Sequence, residues 1–165
     1  MAPEGGAKPT VYVDTTVVSY LIAWPSRDVV TLAHQQVTRE WWRSAARRFD
    51  LVASDVVRDE AAGGGAEAAR ARLAEFSRVA NLGLPAEAAA LAEELLSAGA
   101  LPREASQDAL HIAIAVINGV DYLVTWNLRH MANAPVRAAV GRACRRAGYR
   151  PPVICTPEEL LETEE

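Results

Sequence analysis

Three acids in this chain stand where a strand–helix pattern can gather them. Asp14 ends the apolar run Thr10-Val-Tyr-Val-Asp14 and is followed at once by Thr15-Thr16, which reads as the start of a helix. A carboxylate at the carboxyl end of a strand, where the chain turns into a helix, lies in the crevice where open α/β sheets bind ligands. Two later segments offer acids to the same crevice: Ser54-Asp-Val-Val-Arg-Asp-Glu60 offers Glu60, and Gln107-Asp-Ala-Leu-His-Ile112 offers Asp108. Three carboxylates about 5 Å apart repel one another by about 3 kcal/mol per pair at an effective dielectric of roughly 20. Unaided, such a cluster holds protons or destabilises the fold. Mg²⁺ or Mn²⁺ removes the conflict, because hard cations take oxygen ligands. A bound ion could also polarise a phosphodiester and activate a water for in-line attack.

The elements that must position these acids are legible in the hydrophobic pattern. Strand-like runs fall at 11–13, 51–53, 79–82, 122–125 and 153–155. Between them, Val30, Ala33, Val37, Trp41 and Ala45 make one apolar face of a long helix. Residues 55–62 read as a short helix that Gly63-Gly-Gly65 ends, and Pro85 opens a helix running to about Ala98, with Gly99 as its stop. The segment 106–118 is apolar nearly all round, as a helix buried against a sheet must be. A last helix is expected over 137–147, stopped at Gly148 before Pro151-Pro152. Alternating strands and helices predict an α/β fold with a mostly parallel sheet flanked by helices in three layers.

In that fold Asp14 and Asn127 both follow strands and share one edge of the sheet. Asp108 joins them only if the chain between Leu82 and Ser106 first crosses back to that edge, which the helix after Pro85 allows. Glu60 follows the second strand by about two helical turns, near enough to reach in.

Composition bounds the function classes. At 165 residues with half of them hydrophobic, the chain reads as one domain with a sizeable core. The boundaries expected are a loose leader over 1–9, the domain over 10–157 and an acidic tail over 158–165. The longest apolar run, from Ala109 to Val120, contains His111 and Asn118 and is too short to span a bilayer. Residues 1–8 lack an apolar stretch of signal-peptide type, so a cytoplasmic protein without membrane association is expected. Two cysteines, Cys144 and Cys155, are too few for a disulfide framework or a zinc site. Glu158, Glu159, Glu162, Glu164 and Glu165 together exceed the net charge of −4, so the rest of the chain is close to neutral. Overall acidity therefore neither excludes nor supports a nucleic-acid substrate.

The runs Val-Tyr-Val-Asp14-Thr-Thr, Ser54 to Glu60, Asp108-Ala-Leu-His-Ile-Ala-Ile-Ala and Tyr-Leu-Val-Thr125-Trp-Asn127 resemble, in order and spacing, the successive motifs of PIN-domain ribonucleases, particularly the VapC-type toxins. The resemblance runs from about Val11 to Thr156. It implies a metal-dependent endoribonuclease, the toxin of a type II toxin–antitoxin pair, with Asp14, Glu60 and Asp108 as metal-binding catalytic acids and Mg²⁺ or Mn²⁺ as cofactor. RNA would be the substrate and a cognate antitoxin protein the partner, with room for a homodimer. Such chains often carry a fourth acid where this one has Asn127. An amide oxygen can still bind a metal, but it adds no charge. That departure motivates the competing reading, a catalytically weak or inactive PIN-like module that binds RNA or regulates.

Each residue also has a plainer role to be weighed. Asp14 fits a helix N-cap, Asp108 a favourable charge at a helix N-terminus, Glu60 a solvated helix position and Asn127 a turn. His111 reads as a packed core histidine rather than a general base, and Asp121 as a turn residue at the opposite edge. Gly63-Gly-Gly65 follows a helix, so it is not a dinucleotide loop. A phosphatase with paired aspartates would need an acid where Thr16 stands. The stripe Arg39, Arg43, Arg47 and the cluster Arg142, Arg145, Arg146 read as solvated faces.

Overall fold

The computed structural model describes residues 6–162. Five parallel strands form one sheet in the order β3-β2-β1-β4-β5, where β1 is Thr10–Val13, β2 Asp50–Ser54, β3 Ala80–Leu82, β4 Tyr122–Val124 and β5 Val153–Cys155. β1 lies at the centre, and Val11, Tyr12 and Val13 are fully buried, as befits a parallel strand covered on both faces. Right-handed crossovers then divide the helices between those faces. α1 (Thr15–Ile22), α2 (Val29–Arg48), α3 (Asp55–Ala61) and α4 (Ala66–Phe76) connect β1, β2 and β3, and α1 packs on the other three. α5 (Ala86–Ser97), α6 (Ser106–Ile117) and α7 (Ala134–Arg146) cover the other side, with α5 packed on both α6 and α7. This is the three-layer α/β architecture that the alternation of elements predicts.

The register fixes the edge that matters. Val13 pairs with Val124, and the Asp14 amide donates to the Val124 carbonyl at 3.1 Å, which sets Asp14 beside Thr125. Ser54 ends the neighbouring strand and caps α3 by accepting from the Val57 amide. At the end of α6, the Asn118 side chain donates through Nδ2 to the Gly83 carbonyl just ahead of α5. α5 and α6 therefore run in opposite directions, and the first turn of α6 lies at the carboxyl edge of the sheet, where Asp108 meets His130 from the loop after β4 and feels the charge of Asp14.

Element ends depart from expectation for local reasons. α7 begins at Ala134 rather than Arg137, because Asn133 accepts from the Val136 amide and Pro135 fits the first turn. β3 starts one residue late, since the Val79 amide is spent on the Phe76 carbonyl. α4 has no counterpart in the expected helices; its face is mostly alanine, which weakens the periodic signal. The acidic segment after residue 157 is docked as far as Glu162. Leu160 is buried, Arg48 donates to the Leu160 carbonyl, and Glu162 lies within 3.5 Å of both Arg47 and Arg48. Residues 1–5 of the expected leader and 163–165 of the expected tail lie outside the described residues. Among those described, no helix is long and apolar enough to cross a membrane.

Candidate metal centre

Asp14 is the fixed point of the site. It is 4% exposed and serves as the N-cap of α1. Its Oδ2 accepts from the Thr16 hydroxyl at 2.7 Å, the Thr125 hydroxyl at 2.9 Å and the Thr16 amide at 3.3 Å. Both hydroxyls are themselves held, since Thr16 Oγ1 accepts from the Trp126 amide and Thr125 Oγ1 from the Asn127 amide. Oδ1 receives no hydrogen bond from the described residues. A buried carboxylate with one oxygen locked and the other unclaimed could hold a cation with little rearrangement.

Glu60 reaches the same place from α3. Thr15 donates to its Oε2 at 2.7 Å, and His111 Nε2 meets its Oε1 at 2.7 Å. The second His111 nitrogen, Nδ1, lies 2.8 Å from the Tyr12 hydroxyl, which in turn lies 2.7 Å from Ser54 Oγ. Glu60 is thus tied through His111 and Tyr12 to the cap of its own helix. Burial lifts the Tyr12 phenol well above its usual value, so it stays a neutral link in that chain.

Ligand atoms of Asp14, Glu60 and His111 all lie within 4.8 Å of one another. That group includes His111 and not Asp108, the third of the expected acids. Asp108 and His111 are three residues apart on α6 and so share one face. His111, one turn deeper, closes on Glu60, and Asp108 nearer the helix start is drawn to His130, whose Nδ1 lies 3.1 Å from Asp108 Oδ2. Asn127 sits between them as a turn residue: its Oδ1 accepts from the His130 amide at 3.0 Å. Asp121 lies at the opposite edge, bound to Thr10 and Arg150.

The charges follow from this geometry. Burial disfavours the ionised form of Glu60, but the hydrogen bond and charge of His111, with help from Thr15 and Gln107, hold its carboxyl below the ordinary value. Burial likewise opposes a charged His111, yet its bond to Glu60 and the carboxylates of Asp14, Glu60 and Asp108 raise it. Asp108 is raised by burial and by Asp14, and His130 and Asn127 offset part of that.

The Glu60–His111 pair makes stability depend on pH. His111, raised from 6.5, adds stability that is complete below pH 6.5 and lost as pH climbs through its folded value. Glu60, lowered from 4.5, adds stability that is complete above pH 4.5 and lost as pH falls through its folded value. Metal-free wild type and Glu60→Gln should therefore differ most in denaturant unfolding between pH 4.5 and 6.5, with the gap narrowing on both sides. A gap that does not change with pH would contradict the pairing.

No family model matches the chain, and no curated protein does. Among solved structures, it is similar to a chain in the crystal structure of VapBC2 from Rickettsia felis bound to a DNA fragment from their promoter. The two share 15% identity and a TM-score of 0.57, with 89% of this chain and 98% of the other covered. The fold is PIN-like. Asp14 and Glu60 each follow a recognisable strand, which is why the sequence alone brings both to one edge of the sheet. Thr16, Thr125, Tyr12 and His130 carried no such signal: threonine, tyrosine and histidine at those positions look ordinary until strands far apart in sequence are brought together.

Proposed function

We propose that the protein is a metal-dependent endoribonuclease and the toxin of a toxin–antitoxin pair. The observation that carries the reading is the convergence of Asp14, Glu60 and His111 ligand atoms within 4.8 Å at the carboxyl edge of a PIN-like sheet, with Asp108 beside them. The donor set fits a divalent cation. It brings the carboxylates of Asp14 and Glu60 together, and Asp14 has an oxygen with no protein donor among the described residues. Asp14, Glu60 and Asp108 would hold the ion, with His111 bonded to Glu60 behind it. Bound there, Mg²⁺ or Mn²⁺ would polarise a phosphodiester and activate water for attack. Asn127 takes the turn role in this reading and not that of a ligand.

The chain's own groups do the remaining work. Thr16 and Thr125 orient Asp14, Thr15 and His111 orient Glu60, and His130 faces Asp108. These bonds fix the acids before any ion arrives, so little reorganisation opposes binding. A protein partner is supported by apolar surface away from the acids. Trp24 is 92% exposed and borders a cavity of about 580 Å³ lined by Ile22, Ala23, Ala68 and Ala71 and edged by Ser19, Glu67 and Arg72. A small DNA-binding protein encoded directly upstream would favour the toxin role.

The metal reading has a direct test. A ligand that binds only the folded state stabilises it by about 2.7 kcal/mol at a hundredfold excess over Kd. For a chain of this size that is a rise of roughly 5 to 10 °C in the unfolding midpoint. Thermal unfolding with Mn²⁺ should show such a rise, and chelation should reverse it. An unfolding midpoint unmoved by Mn²⁺ and Mg²⁺ would rule the metal centre out.

A further inference from the structure

We propose that His130 is a positioning residue of the metal centre, holding the Asp108 carboxylate from the loop between β4 and α7. The inference rests on the metal reading above and assigns work to a residue outside the expected site. Its Nδ1 lies 3.1 Å from Asp108 Oδ2, and both side chains are largely buried, at 20% and 23% exposed. A carboxylate can only accept, so His130 Nδ1 carries the hydrogen and donates it. Nε2 has no partner among the described residues.

The loop is built to hold that ring still. Asn127 Oδ1 accepts from the His130 amide at 3.0 Å, and the Asn127 carbonyl accepts from the Met131 and Ala132 amides at 3.1 and 2.9 Å. The Met131 side chain is fully buried and anchors the loop to the core. Asn133 donates to the Leu128 and Arg129 carbonyls while capping α7. The backbone on either side of His130 is therefore pinned, and the amide at Asn127 has its use here.

Asp108 needs such a partner. Asp14 repels it across the crevice, and only His130 and Asn127 offer it side-chain hydrogen bonds among the described residues. The hydrogen bond to His130 keeps Oδ2 toward the loop and the carboxylate within the cluster. Partners of ligating carboxylates commonly change metal affinity by about 10- to 100-fold when removed.

Calorimetric titration with Mn²⁺ of wild type, His130→Ala, His130→Asn and His130→Gln tests the assignment. The asparagine amide nitrogen stands where Nδ1 does, whereas the glutamine amide reaches toward the Nε2 position. His130→Ala and His130→Gln should bind Mn²⁺ about 10- to 100-fold more weakly, and His130→Asn should recover most of the loss. Cleavage of RNA should follow the same order through kcat, with KM little changed. Unfolding midpoints without Mn²⁺ are the control. If His130→Ala is too unstable to titrate, the contrast between His130→Asn and His130→Gln carries the test. Wild-type affinity in His130→Ala, or no recovery in His130→Asn relative to His130→Gln, would overturn the assignment alone. A wild type that binds no Mn²⁺ would overturn the metal reading and this inference with it.

Discussion

An Asp14→Asn protein should fold, bind Mn²⁺ at least about 100-fold more weakly than wild type and cleave no RNA. The affinity bound follows because even indirect partners of a ligand are worth about 10- to 100-fold, and Asp14 would touch the ion. The amide keeps one oxygen to accept from Thr16 and Thr125 but presents an NH₂ group where Oδ1 now stands. Two effects of similar size compete in the metal-free protein. Loss of charge-assisted hydrogen bonds costs about 1.5–3 kcal/mol, and relief of repulsion between carboxylates within 4.8 Å returns about 3 kcal/mol at an effective dielectric of roughly 20. Stability should therefore change little, so that lost binding cannot be attributed to unfolding. Calorimetric titration together with thermal unfolding reads both quantities.

His111→Ala should have the largest effect on stability. The side chain is 1% exposed and bonded at both ring nitrogens, so its removal leaves the buried Tyr12 hydroxyl with Ser54 alone and takes a hydrogen bond from Glu60. Breaking a buried pair costs about 3–5 kcal/mol; Glu60 is 30% exposed, which favours the lower figure. At about 3 kcal/mol, the unfolding midpoint should fall by roughly 6 to 12 °C. Tyr12→Phe alone should cost about 1–2 kcal/mol. In the His111→Ala background it should cost less, because the hydroxyl has already lost a partner. Additive losses in a double-mutant cycle would mean that the Tyr12–His111 contact carries no energy of its own.

The contrast between Asp14 and His111 shows where sequence reasoning reaches and where it stops. An acid directly after an apolar run is a local pattern, and Asp14 is legible from five consecutive residues. The strands were legible for the same reason, while their ends shifted where a single cap or turn intervened, as at Asn133 and Val79. His111 reads as a core histidine, and it is buried. What its own segment cannot reveal is that its partners, Tyr12 and Glu60, lie 99 and 51 residues away. The place of Asp108 depends on the direction of α6, which only the packing of α5 against it decides. Asn127 looks like a missing acid in the linear pattern; in space its oxygen makes the turn that presents His130.

The central claim, that the acids at this edge hold a cation used to cut RNA, is tested most directly by cleavage of a varied pool of RNA in Mn²⁺. Wild type and Asp14→Asn would be purified identically and assayed with and without chelator. Fragments that form with wild type, vanish on chelation and are absent with Asp14→Asn are the predicted result. No cleavage by wild type, or equal cleavage by both proteins, would contradict it.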